Sequence, residues 1–131
     1  MAKLDLIGIV AQDMARSLTF YRLLGLEITP EADNEQHVEI SLAGGLRLAW
    51  DAAALIKSIH PDWVEPVGHR MGLAFLCADA AEVDALYEQL AAAGYEGHKP
   101  PWDAFWGQRY AVIRDPDGNL VDLFAWLPQP E

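Results

Sequence analysis

A chain of 131 residues with 52% hydrophobic content has the size of one domain and enough apolar side chains to bury a core, which excludes a disordered chain. Its 20 acidic residues against 9 basic ones give a formal charge of −11. Such a field repels nucleic acid and attracts cations, and it also serves plain solubility. A single cysteine excludes an internal disulfide framework and fits a reducing cytoplasm. No signal-like opening and no apolar run of membrane-spanning length is seen, so the expectation is a cytoplasmic protein without membrane or nucleic-acid partners.

Lys3 to Ala11 reads as a short buried strand. Asp13 is placed to cap a helix that continues through Arg16 to Leu24, with Leu18, Tyr21 and Leu24 on one face and Gly25 ending it. Leu26 to Thr29 resumes as a strand stopped by Pro30, and Glu31 to Gln36 is an acidic loop. His37 to Leu42 alternates as a strand, Gly44-Gly45 turns, and Leu46 to Asp51 returns beside it. Ala52 to Ile59 suits a short helical turn, with Pro61 and Pro66 breaking regularity around Trp63.

Arg70 to Ala78 is the next strand. Asp79 caps a helix whose Val83, Leu86, Tyr87, Leu90 and Ala93 form an apolar stripe closed by Gly94. Tyr95 to Lys99 is a strand ended by Pro100-Pro101, which leaves Trp102, Phe105 and Trp106 in a loop. From Trp106 to Trp126 the chain reads as a hairpin around Asp115-Pro116-Asp117-Gly118. Pro116 presets φ, Gly118 tolerates positive φ, and the Asp side chains can bond nearby amides. The Pro-containing tail after Trp126 is expected to fray.

The two halves match: each runs strand, Asp-capped helix, Gly stop, short strand and Gly-turned hairpin. GGLRLAW (44–50) resembles GNLVDLF (118–124) in position and pattern. The simplest account is an α+β chain of two βαβββ modules, 3–51 and 70–126, joined by a linker at 52–69, with sheets curled around a concave cleft.

DMARSLTFYRLLGLE (13–27) and WGQRYAVIRDPDGNLVDLF (106–124) resemble the two signature stretches of the vicinal oxygen chelate superfamily. This group includes glyoxalase I, extradiol dioxygenases, and fosfomycin- and bleomycin-resistance proteins. The resemblance covers nearly the whole chain. It implies paired βαβββ modules, a homodimer and a ligand site within the curled sheets. Fold analogy alone does not settle chemistry. The enzymes of the superfamily hold a divalent metal with His, Gln or Glu from strands of both modules. The matching positions here are Leu6, Leu48, Gly72 and Asp122, three of which have no donor. The resemblance therefore implies no metal and no cofactor.

Other residues offer little to rebuild such a centre. His37, His60, His69 and His98 show no HxH, HxxxH or HExxH pairing, and Cys77 lies alone on an apolar strand as a buried inert thiol. No nucleophile elbow, P-loop or dinucleotide glycine pattern appears.

Aromatics are the remaining signal. Five tryptophans are present. If Leu6, Leu48 and Gly72 face the cleft, period-two alternation adds Trp50 and Phe124, with core or dimer interface as the competing placement. Trp102, Phe105, Trp106 and Tyr110 join this expected lining, Gly72 leaves room for a bulky guest, and Asp122 adds a carboxylate. Arg109 or Arg114 is a candidate partner for Asp122. The expectation is a metal-free, non-catalytic protein that binds and sequesters a small planar, antibiotic-like aromatic molecule, a cationic one included. The alternative is a lyase or dioxygenase with a relocated metal or with acid–base chemistry at Asp122. A structural dimer whose cleft is plugged by its own Trp side chains is the third reading.

Overall fold

The computed structural model describes residues 1–129, so Pro130 and Glu131 of the tail expected to fray lie outside it. At the tail's start the Leu127 amide donates to the Gly107 carbonyl. The chain divides into two units, Met1–Pro66 and a second from Val67 onward. Both are α+β, each a small sheet with a helix on one face, as the repeat implies.

In the first unit, β1 (Leu6–Ala11) leads into α1 (Met14–Leu23). The Asp13 carboxylate accepts from the Arg16 amide at 3.1 Å, satisfying one of the first-turn donors that a helix leaves free. Gly25, at φ 101°, ends the helix as expected. β2 (His37–Ser41) and β3 (Arg47–Ala52) form the hairpin around Gly44-Gly45. The sheet order is β1-β3-β2, with β1 parallel to β3. Leu18, Phe20, Tyr21 and Trp50 are fully buried, and the Tyr21 and Trp50 rings meet at 5.4 Å, which fixes one face of this sheet against α1. α2 (Ala53–Ile59) follows.

The strand expected at Leu26 to Thr29 is not in this sheet. The Arg22 guanidinium takes the carbonyls of Ile28 at 2.9 Å and Thr29 at 2.7 Å, and also pairs with Asp33 at 2.9 Å. Acceptors that a neighbouring strand would use are thus held by a side chain. Pro30 then opens a short 3-10 turn through Asn34.

The second unit carries the full βαβββ repeat: β4 (Leu73–Leu76), α3 (Ala80–Ala92), β5 (Gly97–Ala104), β6 (Gln108–Arg114) and β7 (Leu120–Trp126). Their order is β4-β7-β6-β5. Asp79 accepts from the Glu82 amide while the Glu82 carboxylate accepts from the Ala78 amide, a reciprocal cap. β5 corrects the sequence expectation: it runs through Pro100-Pro101 and includes Trp102. As the outer strand it can lose N–H donors, and its register shifts on both sides of Lys99. Only Phe105, Trp106 and Gly107 form the turn into β6.

The β6–β7 turn is organised by Asp115, which is 4% exposed. Its carboxylate accepts from the amides of Asp117 and Asn119 at 2.9 and 2.8 Å and from Asn119 Nδ2 at 2.8 Å. Gly118 closes the turn at φ 87°. Replacing Asp115 by Ala strands these donors, and the expected loss is about 2–4 kcal/mol of unfolding free energy by urea titration. An unchanged midpoint would show that the backbone holds the turn unaided.

On the face of the first sheet turned away from α1, His37 bonds Asp51 through Nδ1 and Glu39 through Nε2, and Arg47 bonds Glu39 and Asp5. The hydrogen bond to Glu39, then that to Asp51, raises the His37 pKa above its ordinary 6.5; the bond from His37 first lowers that of Glu39 below 4.5. A raised histidine contributes stability that is complete below its unfolded value and is lost as pH rises through the folded one. The Glu39 share is lost as pH falls through its depressed value. His37→Gln should therefore cost more stability at pH 5.5 than at pH 8.5, and a gap in urea midpoint that does not change with pH would remove the ionic account.

Candidate functional site

The second sheet has two unlike faces because its strands alternate. Ala111, Ile113, Val121, Leu123 and Ala125 are buried on the α3 side. Tyr110, Val112 and Arg114 of β6 point the other way, as do Leu120, Asp122, Phe124 and Trp126 of β7. The register sets Tyr110 against Phe124 and Val112 against Asp122. β5 brings Trp102 opposite Tyr110, and β4 brings Ala74 opposite Asp122 and Leu76 opposite Phe124. Gly72 lies just before β4, outside the paired residues, and nothing lies within 4 Å of where a Cβ there would sit. Of the residues expected to line a site, this helix-free face gathers Trp102, Tyr110, Asp122 and Phe124, the turn adds Phe105 and Trp106, and Gly72 precedes the edge strand β4.

The rings contact one another at near right angles. Trp102 lies 5.2 Å from Tyr110 and 5.9 Å from Trp106, while Trp106 lies 5.3 Å from Tyr110 and 5.0 Å from Phe105. Trp106 is 44% exposed and Phe105 96%. Gln108 Oε1 accepts from Trp106 Nε1 at 2.7 Å, which fixes the indole. Lys99 Nζ sits 4.6 Å from the Trp102 ring centroid, a cation already seated on the aromatic group. Neither Gln108 nor Lys99 was singled out from the sequence. Gln108 shares the 108, 110, 112 alternation that could have revealed it, whereas Lys99 precedes a bulge that hides its register.

Asp122 finds a partner, but not the expected one. Tyr110 donates its hydroxyl to Asp122 Oδ2. Burial, then this bond to a carboxylate, pushes the Tyr110 pKa well above its ordinary value, so the phenol stays a donor. Arg109 pairs instead with Asp84 at 2.9 Å and Asp103 at 3.1 Å. Arg114 faces Glu96, His69 and His98 and donates to the Gly118 carbonyl. Cys77 is buried, and burial, followed by the nearby Glu82 charge, raises its thiol to about 11, in keeping with an inert side chain.

The first unit corrects two of the expected lining residues. Leu48 and Trp50 alternate together on β3, and Trp50 packs on Tyr21 of α1, so both lie in the helix-covered core at 4% and 0% exposure. Leu6 pairs with Arg47 and lies on the opposite face. The face shared with Leu6 carries Arg47, Ala49 and Asp51 instead. One residue of offset in a motif-based count exchanges the two faces of a strand.

The positions that the resemblance assigns to a divalent metal do not fit one. Leu6 and Gly72 offer no donor, Leu48 is core, and one Asp122 oxygen is held by Tyr110. Among the described residues, no group of three or more His, Cys, Asp or Glu is placed to hold a metal ion.

Residues 3–123 match the family model of the Glyoxalase/Bleomycin resistance protein/Dioxygenase superfamily. Similar solved structures include a glyoxalase/bleomycin resistance protein/dioxygenase family enzyme from Burkholderia phytofirmans, at 21% identity and TM-score 0.81 over 96% of this chain and 100% of that one. A glyoxalase-related enzyme from Fulvimarina pelagi shares 21% identity at TM-score 0.78, over 95% and 88%. A glyoxalase/bleomycin resistance protein/dioxygenase from Nocardioides shares 25% identity at TM-score 0.70, over 100% and 87%. The first two likenesses speak to fold alone. No curated protein is significantly similar to the chain. The chain belongs to the glyoxalase/bleomycin resistance protein/dioxygenase superfamily.

Proposed function

We propose that this superfamily member is a metal-independent binding protein that sequesters small planar aromatic molecules, cationic ones included, by stoichiometric binding as a cytoplasmic homodimer. The observation that carries the reading is the aromatic group Trp102, Phe105, Trp106 and Tyr110 on the helix-free side of the second sheet. Near-perpendicular rings present walls in different orientations, suited to gripping a flat guest by face and edge. Asp122 beside them and the −11 charge favour a cation, which would have to displace Lys99 to reach the face of Trp102 that it covers. Exposed Val67, Met71, Leu76 and Trp126 offer apolar surface for self-association.

The enzyme reading, a lyase or dioxygenase of the same fold, has one observation in its favour: a carboxylate, Asp122, aligned by a phenol on the same face as the rings. Turnover that survives a chelator but disappears in Asp122→Asn would favour acid–base chemistry. Turnover lost with the chelator would instead require metal ligands elsewhere.

Tryptophan-fluorescence titration with a flat acridine cation tests the binding reading. Trp102→Ala and Trp106→Ala are each expected to weaken binding by about 1–3 kcal/mol while leaving the unfolding free energy from urea titration within about 1 kcal/mol of the parent. Unchanged affinity in both variants would sink the stacking model.

A further inference from the structure

We propose that Arg114, His69 and His98 form a subsite for a small-molecule oxyanion, a carboxylate or a phosphate, at the turn end of the helix-free face of the second sheet. On a chain with 9 basic against 20 acidic residues, three nitrogen-bearing side chains from distant segments converge here. Arg114 Nη1 lies 3.4 Å from His69 Nε2, and Arg114 Nη2 lies 3.3 Å from His98 Nδ1. His69 comes from the segment before β4 and His98 from the outer strand β5, and both are exposed.

A guanidinium offers donors only, so the imidazole nitrogens that face it can meet it only as acceptors. An anion lying between them can accept from the guanidinium fork and from a ring N–H of each imidazole. Arg114 is also pre-positioned, because Nη1 donates to the Gly118 carbonyl at 3.2 Å. Its acidic neighbour competes weakly: Glu96 stands 3.6 Å from Nε and is 75% exposed. The Nη edge, whose fork matches a carboxylate or phosphate, faces the two imidazoles. The overall negative charge opposes anions at long range, so free phosphate should bind in the millimolar range.

Tyr110, Val112 and Arg114 alternate on one side of β6, which puts this cluster about 13 Å along the strand from the Tyr110 end of the aromatic group. A guest that reached both ends would join a flat ring to an acidic group. That extension rests on the aromatic-guest reading; the oxyanion subsite does not.

The experiment is a titration of the full chain with inorganic phosphate and, separately, with acetate, followed by the imidazole proton resonances. The expected result is a saturable shift at His69 and His98 with His37 and His60 unmoved. Arg114→Lys, which keeps the charge and loses the fork, should weaken the response at both rings about tenfold, and His98→Ala should weaken the response of His69. Saturation by phosphate alone or by acetate alone identifies the oxyanion and supports the subsite. Absence of saturation, equal shifts at all four histidines, or unchanged affinity in both variants overturns it. Trp106→Ala should leave phosphate affinity as it was, so a failure of aromatic binding and a failure of this subsite read out separately.

Discussion

Much of the second unit depends on one buried carboxylate. Asp115 gathers two backbone amides and the Asn119 side chain into a turn, and the turn sets the register of β6 against β7. That register decides everything downstream of it. It places Tyr110 where its hydroxyl reaches Asp122, keeps Phe124 opposite Tyr110, and sends Ile113, Val121 and Leu123 to the α3 side. A slip of one residue in either strand would turn that strand over, sending Tyr110 of β6 or Asp122 and Phe124 of β7 to the α3 side and its core residues outward. The grouping of Tyr110, Asp122 and Phe124 thus follows from hairpin geometry, and β5 adds Trp102 across from Tyr110.

The hairpin was readable because its signals are local. Asp-Pro-Asp-Gly specifies a turn by φ preference and side-chain bonding, and Asp13 and Asp79 specify helix starts in the same way. The α+β repeat followed from the order of such signals. What escaped the sequence is non-local. Nothing within Leu26 to Thr29 announces that Arg22 will take its carbonyls. Nor does Pro100-Pro101 announce that β5 will be the outermost strand, where prolines do no harm.

The lining residues divide along the same boundary. Trp102, Phe105, Trp106, Tyr110, Asp122 and Phe124 sit in or beside a segment whose register the turn fixes, and they came out together on one side or at its rim. Leu48 and Trp50 share a β3 face set by that strand's pairing with β1 and β2, and that face is the one α1 covers. Trp50 packs its buried ring against Tyr21. The Arg114 cluster was out of reach of the sequence, since its three members are separated by tens of residues and meet only through the sheet.

The two prolines of β5 have a consequence for how such a surface survives at high concentration. A sheet that exposes Phe105, Trp106 and Trp126 invites another chain to add a strand at its margin and bury them. The outer strand is a poor template for that. Pro100 and Pro101 have no N–H to donate, and the bulges around Lys99 break the even spacing that a second strand would need. This margin thus resists the strand-by-strand growth that leads to fibrils. The rings can therefore stay accessible without making the β5 edge a seed for polymerisation.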